Sequence, residues 1–387
     1  MFLAPLRRAS LSWYYIAMNI NLDTLIGGLL KKKEEAVVGV DIGSAFIKVV
    51  QLRRKGAKAA LDTYGEIALG PLAELEVGQA AQLPAEKIAE AITDLMKEAN
   101  VTSRDMVFSL PISSALLTVI EMPNLGESKL KQMIPIEARK YIPTAVSEVS
   151  LNSWIIPKAR GTYVDPDVED ASKGQQMVDV LIGAVHNDVI ARYQDIAKRS
   201  GATTTTLEIE VFSATRSALA RENQLCVLLD IGASTTKVAI VDEGVIRGSH
   251  LINAGSQDIT LALAHSRGIP LLDAEEIKRE KGLLGDPADP SIGEVARIAV
   301  ERILVEVSRV LTKYQRDKHV TIGRMLLSGG GSLLKGLPEL LGQTFPGVNI
   351  ALADVFSRVE SPAILETLLK EASPEFAIAM GLAMRRL

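Results

Sequence analysis

The sequence predicts an α/β protein made of two duplicated halves, and two observations carry that reading. The first is a repeat: DIGSAFIKVVQL at 41–52 returns as DIGASTTKVAIV at 230–241, with Asp, Ile, Gly, Lys and Val at matching offsets. The second is the pattern around it. Each copy follows an apolar run, VVGV or CVLL, and leads into a further β-rich run, so the register holds over three strands, which chance rarely delivers. A chain of 387 residues, 47% hydrophobic and 23% charged, is globular in composition and long enough for a duplicated fold.

Residues 1–17 share no pattern with the rest of the chain. Arg7 and Arg8 precede LSWYYIAM, which lacks the uninterrupted apolar core and cleavage site of a secretory signal, so the segment reads as an over-extended or disordered leader, with Met18 as an alternative start. Over 20–33, Leu22, Leu25, Ile26, Leu29 and Leu30 fall at helical spacing before Lys31, Lys32 and Lys33. Such a short basic amphipathic helix could lie on an anionic membrane surface, dock onto a partner, or pack as an arm on its own domain. No run of about 18 apolar residues predicts a membrane span.

From 36, AVVGVDIG, IKVVQLRR and LDTYGEIAL read as strands joined by glycine-bearing turns. A helix over 85–99 carries Ile88, Ile92, Leu95 and Met96 on one face, and DMVFSLP is a buried strand. Between 114 and 200 the order changes to strand, helix at 126–141, strand, charged loop at 158–175, strand and helix: an α+β insertion. Pro135 should kink its first helix, and the loop should be solvated and mobile. TTTTLEIEV and the helix FSATRSALAREN then lead into the second copy. A helical stretch over 256–319 presents Val295, Ile298, Ile303, Val307, Val310, Leu311 and Tyr314 as a core-facing stripe. RMLLSGGGSLL, a helix, a strand near VNIALAD and a last helix close the pattern. The division is an arm at 1–35, a first half at 36–113 and 201–222, the insertion at 114–200, and a second half at 223–265 and 321–387 with a helical subdomain at 266–320.

Composition removes several functions. The formal net charge of −4 and the scattered basic residues argue against nucleic-acid binding. Cys226, the single cysteine, sits in an apolar run and offers neither a disulfide nor a zinc site. Neither G-x-x-x-x-G-K-[ST] nor a G-x-G-x-x-G after the first strand is present, which excludes a P-loop NTPase and argues against a dinucleotide fold.

The chemistry that remains belongs to the repeats. Each copy is an apolar strand ending in an acid, a tight turn, and a return strand with a lysine: Asp41, Gly43, Ser44 and Lys48, then Asp230, Gly232, Ser234, Thr235 and Lys237. Glycine lets backbone N–H groups approach a phosphate, and an aspartate suits the water shell of Mg2+. Two facing hairpins could clamp a polyphosphate and its metal, with hydroxyl contacts mostly from the second copy. Gly329, Gly330 and Gly331, followed by Ser332, form a turn against which a flat base could lie. The bland reading of that turn is a flexible linker.

These residues carry a resemblance. DIGSAFIK resembles the first phosphate motif of the actin/Hsp70/hexokinase superfamily, DIGASTTK its second, and LLSGGGSLL its adenosine motif, in matching order and spacing. DAEEIKREKG is similar to the superfamily helix that contacts adenine and ribose, which implies that role for Glu275, Lys278 and Arg279. EIEVFSATRSAL resembles the first connecting helix, where Glu210 matches the acid that positions the attacking water. Seen alone, both segments are equally ordinary charged helix surface.

Over 19–387 the chain further resembles the PilM family of actin-like pilus assembly proteins, itself similar to FtsA, through NINLDTLIGGLLKKK, EMPNLGESKLKQMIPIEARKYIP, LEIEVFSATRSAL and AIAMGLAMRR. That resemblance implies two actin-like (ribonuclease H-like) α/β halves with an FtsA-type insertion, ATP with Mg2+ held through water by Asp41 and Asp230, and at most slow hydrolysis. It implies a cytoplasmic scaffold, peripheral at the inner membrane, that grips the N-terminal peptide of PilN and links it to other pilus platform and motor components. An FtsA-like filament-forming, self-associating ATPase is the alternative. A small-molecule kinase ranks last, for want of a motif supplying its catalytic Asp.

Overall fold

Both hairpins form, and each sits at the centre of its own sheet. The computed structural model describes residues 15–19, 35–158, 177–219 and 224–387. In the first half, β1 (Tyr15–Asn19), β2 (Ala36–Ile42), β3 (Phe46–Lys55) and β4 (Lys58–Ala68) precede α1 (Ala85–Glu98) and β5 (Asp105–Leu110). The insertion supplies β6 (Ala115–Pro123), α2 (Glu127–Ala138), β7 (Val149–Ile156) and β8 (Met177–His186). The chain returns through α3 (Asn187–Arg199), β9 (Thr204–Ile209) and α4 (Glu210–Ala218). The second half comprises β10 (Cys226–Ile231), β11 (Thr236–Asp242), β12 (Val245–Ile252), α5 (Ser256–Arg267), α6 (Leu271–Lys281), α7 (Ser291–Lys318), β13 (Arg324–Ser328), α8 (Leu337–Thr344), β14 (Asn349–Leu352), α9 (Glu366–Ala372) and α10 (Ala377–Ala383).

The duplication is complete in topology. The first sheet runs β1-β4-β3-β2-β5-β9 and the second β12-β11-β10-β13-β14. In each, an antiparallel meander ends on the strand that bears the aspartate, and two parallel strands follow on its other side. Alternation along β10 shows why this strand is apolar apart from Asp230. Val227, Leu229 and Ile231 enter the core beneath α5, α6 and α7, while Cys226 and Leu228 enter a core shared with the first half. Both faces are covered, as parallel strands require.

Several details depart from the sequence expectations. The leader expected at 1–17 and the amphipathic helix at 20–33 lie outside the described residues, apart from β1, which pairs antiparallel with β4 and so gives residues 15–17 a place in the sheet. The loop at 158–175 is outside them from 159 onward. Helix α2 ends at Ala138, within a turn of Pro135, rather than at 141. Ile298 is 64% exposed, because five residues of helix separate it from Ile303 and turn it off the buried face of α7; Ala296, Ala299, Val300 and Leu304 fill that face instead.

Packing also redraws the halves. Helix α3, assigned by sequence to the insertion, lies on α1, β5 and β9 as well as on β8. Helix α10, assigned to the second half, packs on β2, β3, β5 and α4 of the first. Two glycines permit that crossing. A Cβ at Gly39 would stand 2.7 Å from the Ala383 nitrogen, and one at Gly381 would fall inside the van der Waals radius of the Ser213 carbonyl oxygen. Gly381→Ala must therefore push α10 off α4. We expect a loss of about 3 kcal/mol in denaturant unfolding, the upper end of ordinary overpacking costs; an unchanged midpoint would show that the helices can separate freely.

Candidate functional site

The site is built from the repeat upward. In the first hairpin Asp41 pairs across the strands with Lys48, and in the second Asp230 pairs with Lys237. The turns close identically: the Gly43 N–H donates to the Phe46 carbonyl at 3.0 Å, and the Gly232 N–H to the Thr235 carbonyl at 2.9 Å. A Cβ at either glycine would approach that same carbonyl, at 2.9 and 3.0 Å respectively. Turn closure therefore demands these glycines, and their own N–H groups are already engaged. The N-terminus of α5 buttresses the second turn, where Ser256 and Gln257 N–H groups donate to the Gly232 and Ala233 carbonyls.

A further layer of the duplication appears in the parallel neighbours. Ser109 of β5 donates to Asp41 Oδ1 at 2.8 Å, and Ser328 of β13 donates to Asp230 Oδ1 at 3.3 Å. Each aspartate is thus held by a serine from the adjacent parallel strand. The signal was present in the sequence as Met-x-x-Ser, Met106 to Ser109 and Met325 to Ser328, but linking it to the aspartates required the strand order.

The two hairpins converge. Ser234 Oγ donates to Ser44 Oγ at 2.9 Å, joining the turns across the cleft between the halves. The cavity around them, of about 440 Å³, is lined by Asp41, Gly43, Ser44, Lys48, Glu210, Asp230, Gly232, Ser234, Thr235, Lys237, Glu275, Lys278, Arg279, Gly329, Gly330 and Gly331. Ser332 is the sequence-selected residue that does not reach the wall; it is buried and donates to the Gly329 carbonyl at 2.6 Å, holding the glycine turn in shape. Two of the three glycines serve packing: a Cβ at Gly329 or Gly331 would collide with Ile231, whereas one at Gly330 would meet only Glu375, at 3.4 Å. Gly330 alone is left free of neighbouring backbone.

On α6, Glu275, Lys278 and Arg279 meet as their spacing of three and four residues allows. Lys278 Nζ and Arg279 Nε donate to Glu275 oxygens at 2.6 and 2.9 Å, and the Thr260 hydroxyl donates to the same carboxylate at 2.6 Å. Burial raises the Glu275 pKa, but these donors outweigh it and hold it below the usual range. The Lys278 pKa is lowered too, because there burial outweighs the attraction of Glu275.

Sequence reasoning missed Glu66 and Glu375. Lys48 Nζ lies 3.5 Å from Glu66 and 3.8 Å from Glu375, with the Phe46 and Phe376 rings each 5.6 Å away. Burial disfavours the Lys48 charge, yet the two carboxylates raise its pKa overall. Lys237 is likewise paired, 3.0 Å from Asp230 and 3.1 Å from Glu210. Each basic side chain on the cavity wall thus has a carboxylate partner, and the carboxylates outnumber the bases. From the first half, residues 78–81 touch the second: Gly78 lies against Glu275, and the Ala80 N–H donates to Gln257 at 3.0 Å.

Asp41 shows what this crowding costs. Burial, and then repulsion from Glu210, push its pKa up to about 6 against the attraction of Lys237 and Lys48. Because the native value exceeds the ordinary 3.8, native Asp41 binds more protons between those two pH values, and the stability it supports falls as pH rises through that window. Asp41→Asn keeps an acceptor for Ser109 and removes the ionisation. The ligand-free variant should gain on the order of 3 kcal/mol near pH 7.5, shrinking to about a third of that near pH 4.5. Paired urea titrations at the two pH values read the difference, and a gain independent of pH would contradict the assignment.

Known proteins share this geometry's framework. The profile of a family described as type IV pilus assembly protein PilM matches residues 39–387. A solved PilM-PilN type IV pilus biogenesis complex is similar at 26% identity and TM-score 0.74, covering 90% of this chain and 98% of that one. MreB5 of Spiroplasma citri bound to AMPPNP shares the fold, at 13% identity and TM-score 0.50 over 92% of this chain and 96% of that one. The cell division protein FtsA of Neisseria meningitidis serogroup B is 26% identical over 230 residues, 53% of this chain and 53% of that protein. The chain spans about half the length of the curated relatives it matches. The actin-like α/β fold expected from the motifs stands, and the expected similarity to FtsA is found.

Proposed function

The chain belongs to the type IV pilus assembly protein PilM family, and from that premise we propose that it is an ATP-binding scaffold of pilus assembly that holds the N-terminal peptide of PilN. The observation that carries the nucleotide half of this reading is convergence: two equivalent hairpins, the glycine turn and α6 surround one cavity. In this reading Lys48 and Lys237 turn to the phosphates, Gly330 and α6 receive the nucleoside, and the Ser44–Ser234 contact opens.

Charge explains why the metal must come with the nucleotide. Lining carboxylates outnumber lining bases, so a bare polyphosphate would meet repulsion in a poorly solvated cleft. Mg2+ keeps most of its waters and uses few protein carboxylates; Asp41 and Asp230, both on the cavity wall, would hold that water shell. When bound, the metal supplies charge neutralisation to the phosphates. In the ligand-free arrangement both Glu210 oxygens are engaged, one by the Ile112 N–H and one by Lys237.

The PilN half rests on the family and on the solved PilM-PilN relative. Among the described residues no helix is long and apolar enough to cross a membrane. The solved PilM-PilN relative supports attachment through PilN at the cytoplasmic face of the inner membrane, beside the other platform and motor components. Calorimetry with ATP and Mg2+ should give saturable binding that weakens at least about tenfold in Asp41→Ala, some 1.4 kcal/mol; equal affinity removes the site assignment. A synthetic PilN N-terminal peptide on beads should retain the chain with nucleotide present, and failure to retain it removes the scaffold reading while leaving the nucleotide site intact.

A further inference from the structure

One contact leads out of the cleft. Glu210 begins α4 and is 7% exposed, and its two oxygens face different parts of the molecule. Oε2 lies 3.1 Å from Lys237 Nζ, on the second half's hairpin. Oε1 accepts the Ile112 N–H at 2.8 Å. Ile112 opens the single turn, Ile112–Ser114, through which the chain enters β6 of the inserted sheet. The same helix touches that sheet again, where the Phe212 ring meets Trp154 of β7 edge-on at 5.6 Å. On its other side α4 is backed by Gly381 of α10 at backbone contact, so it has no room to absorb a shift.

We infer that Glu210 is a positioning residue that transmits occupancy of the cleft to the inserted sheet, through the Ile112 N–H. This rests on the polyphosphate reading given above. A polyphosphate attracts Lys237, and as that lysine turns away Glu210 loses its cation and gains an anion for a neighbour. In a poorly solvated site both changes weigh heavily. The carboxylate keeps one charge-assisted bond, to Ile112, and is driven onto it. The root of β6 tightens in response. The inserted sheet, which has little contact with the cavity itself, would thereby differ between the empty and occupied states.

Hydrogen–deuterium exchange on the full chain tests this, with ATP and Mg2+ at concentrations that saturate each protein in its own calorimetric titration. In wild type, nucleotide should slow exchange of the β6 amides on the order of fivefold, the low end of ordinary coupling between sites. Ile112→Pro removes the N–H at a residue that does not itself line the cavity, and the residue before it already suits a proline, Pro111 being extended at φ −68 and ψ 137. The slowing should vanish there, yet persist in Ile112→Ala, which loses more side chain but keeps the donor. Glu210→Gln, which keeps an acceptor for Ile112 and gives up the ion pair with Lys237, should lose most of it. Equal slowing in the proline and alanine variants overturns the inference, as does a saturated wild type with no slowing. A wild type that cannot be saturated removes the nucleotide reading itself, and the inference with it.

Discussion

Two carboxylates are kept from water at the ends of two buried strands, and much of the molecule exists to make that arrangement tolerable. Asp41 and Asp230 each need a serine from a parallel neighbour, a lysine from the return strand, and a glycine turn tight enough to bring that strand back. Burying a charge is costly unless it is paired and hydrogen-bonded. The parallel strands β5 and β13 are thus part of the electrostatics as much as of the sheet, and parallel pairing is what requires the helical crossovers that lead to them.

The two copies meet this demand differently. Lys237 sits close to Asp230 and Glu210, whereas Lys48 leans toward Glu66 and Glu375 and leaves Asp41 short of compensation. Burial, and then repulsion from Glu210, raise the Asp41 pKa, and the two lysines offset that only in part. A site whose acid is unsatisfied in the empty state has free energy to regain when a cation arrives, which is the usual exchange of stability for function.

How much of this was readable beforehand depended on distance along the chain. The hairpins were legible because an acid and a glycine break an apolar strand locally, and the α6 triad because helical spacing brings Glu275, Lys278 and Arg279 together. Glu66 needed the register of β3 against β4, which places it opposite Lys48. Glu375 was invisible, since nothing near it in sequence marks its approach to a lysine in the other half. The glycine run meets a second demand that the sequence did not show: Gly329 and Gly331, besides lining the cavity, lie close against Ile231 behind them. On α7, apolar character was taken for burial at Ile298, although the helix turns that residue to solvent.

The crossing of α10 over β2 has a consequence in time. Gly39 is covered by Ala379, a residue 340 positions later in the chain. During synthesis, at roughly 5–20 residues per second, the first half emerges early and stays uncovered on that face until residues 377–383 have been made. Its sheet spends that interval with an apolar flank open to the ribosome's surroundings, where chaperones wait. Maturation of the early half is therefore governed by the late one, and a ribosome that stalls within the last helices would release a product whose oldest part has never been closed.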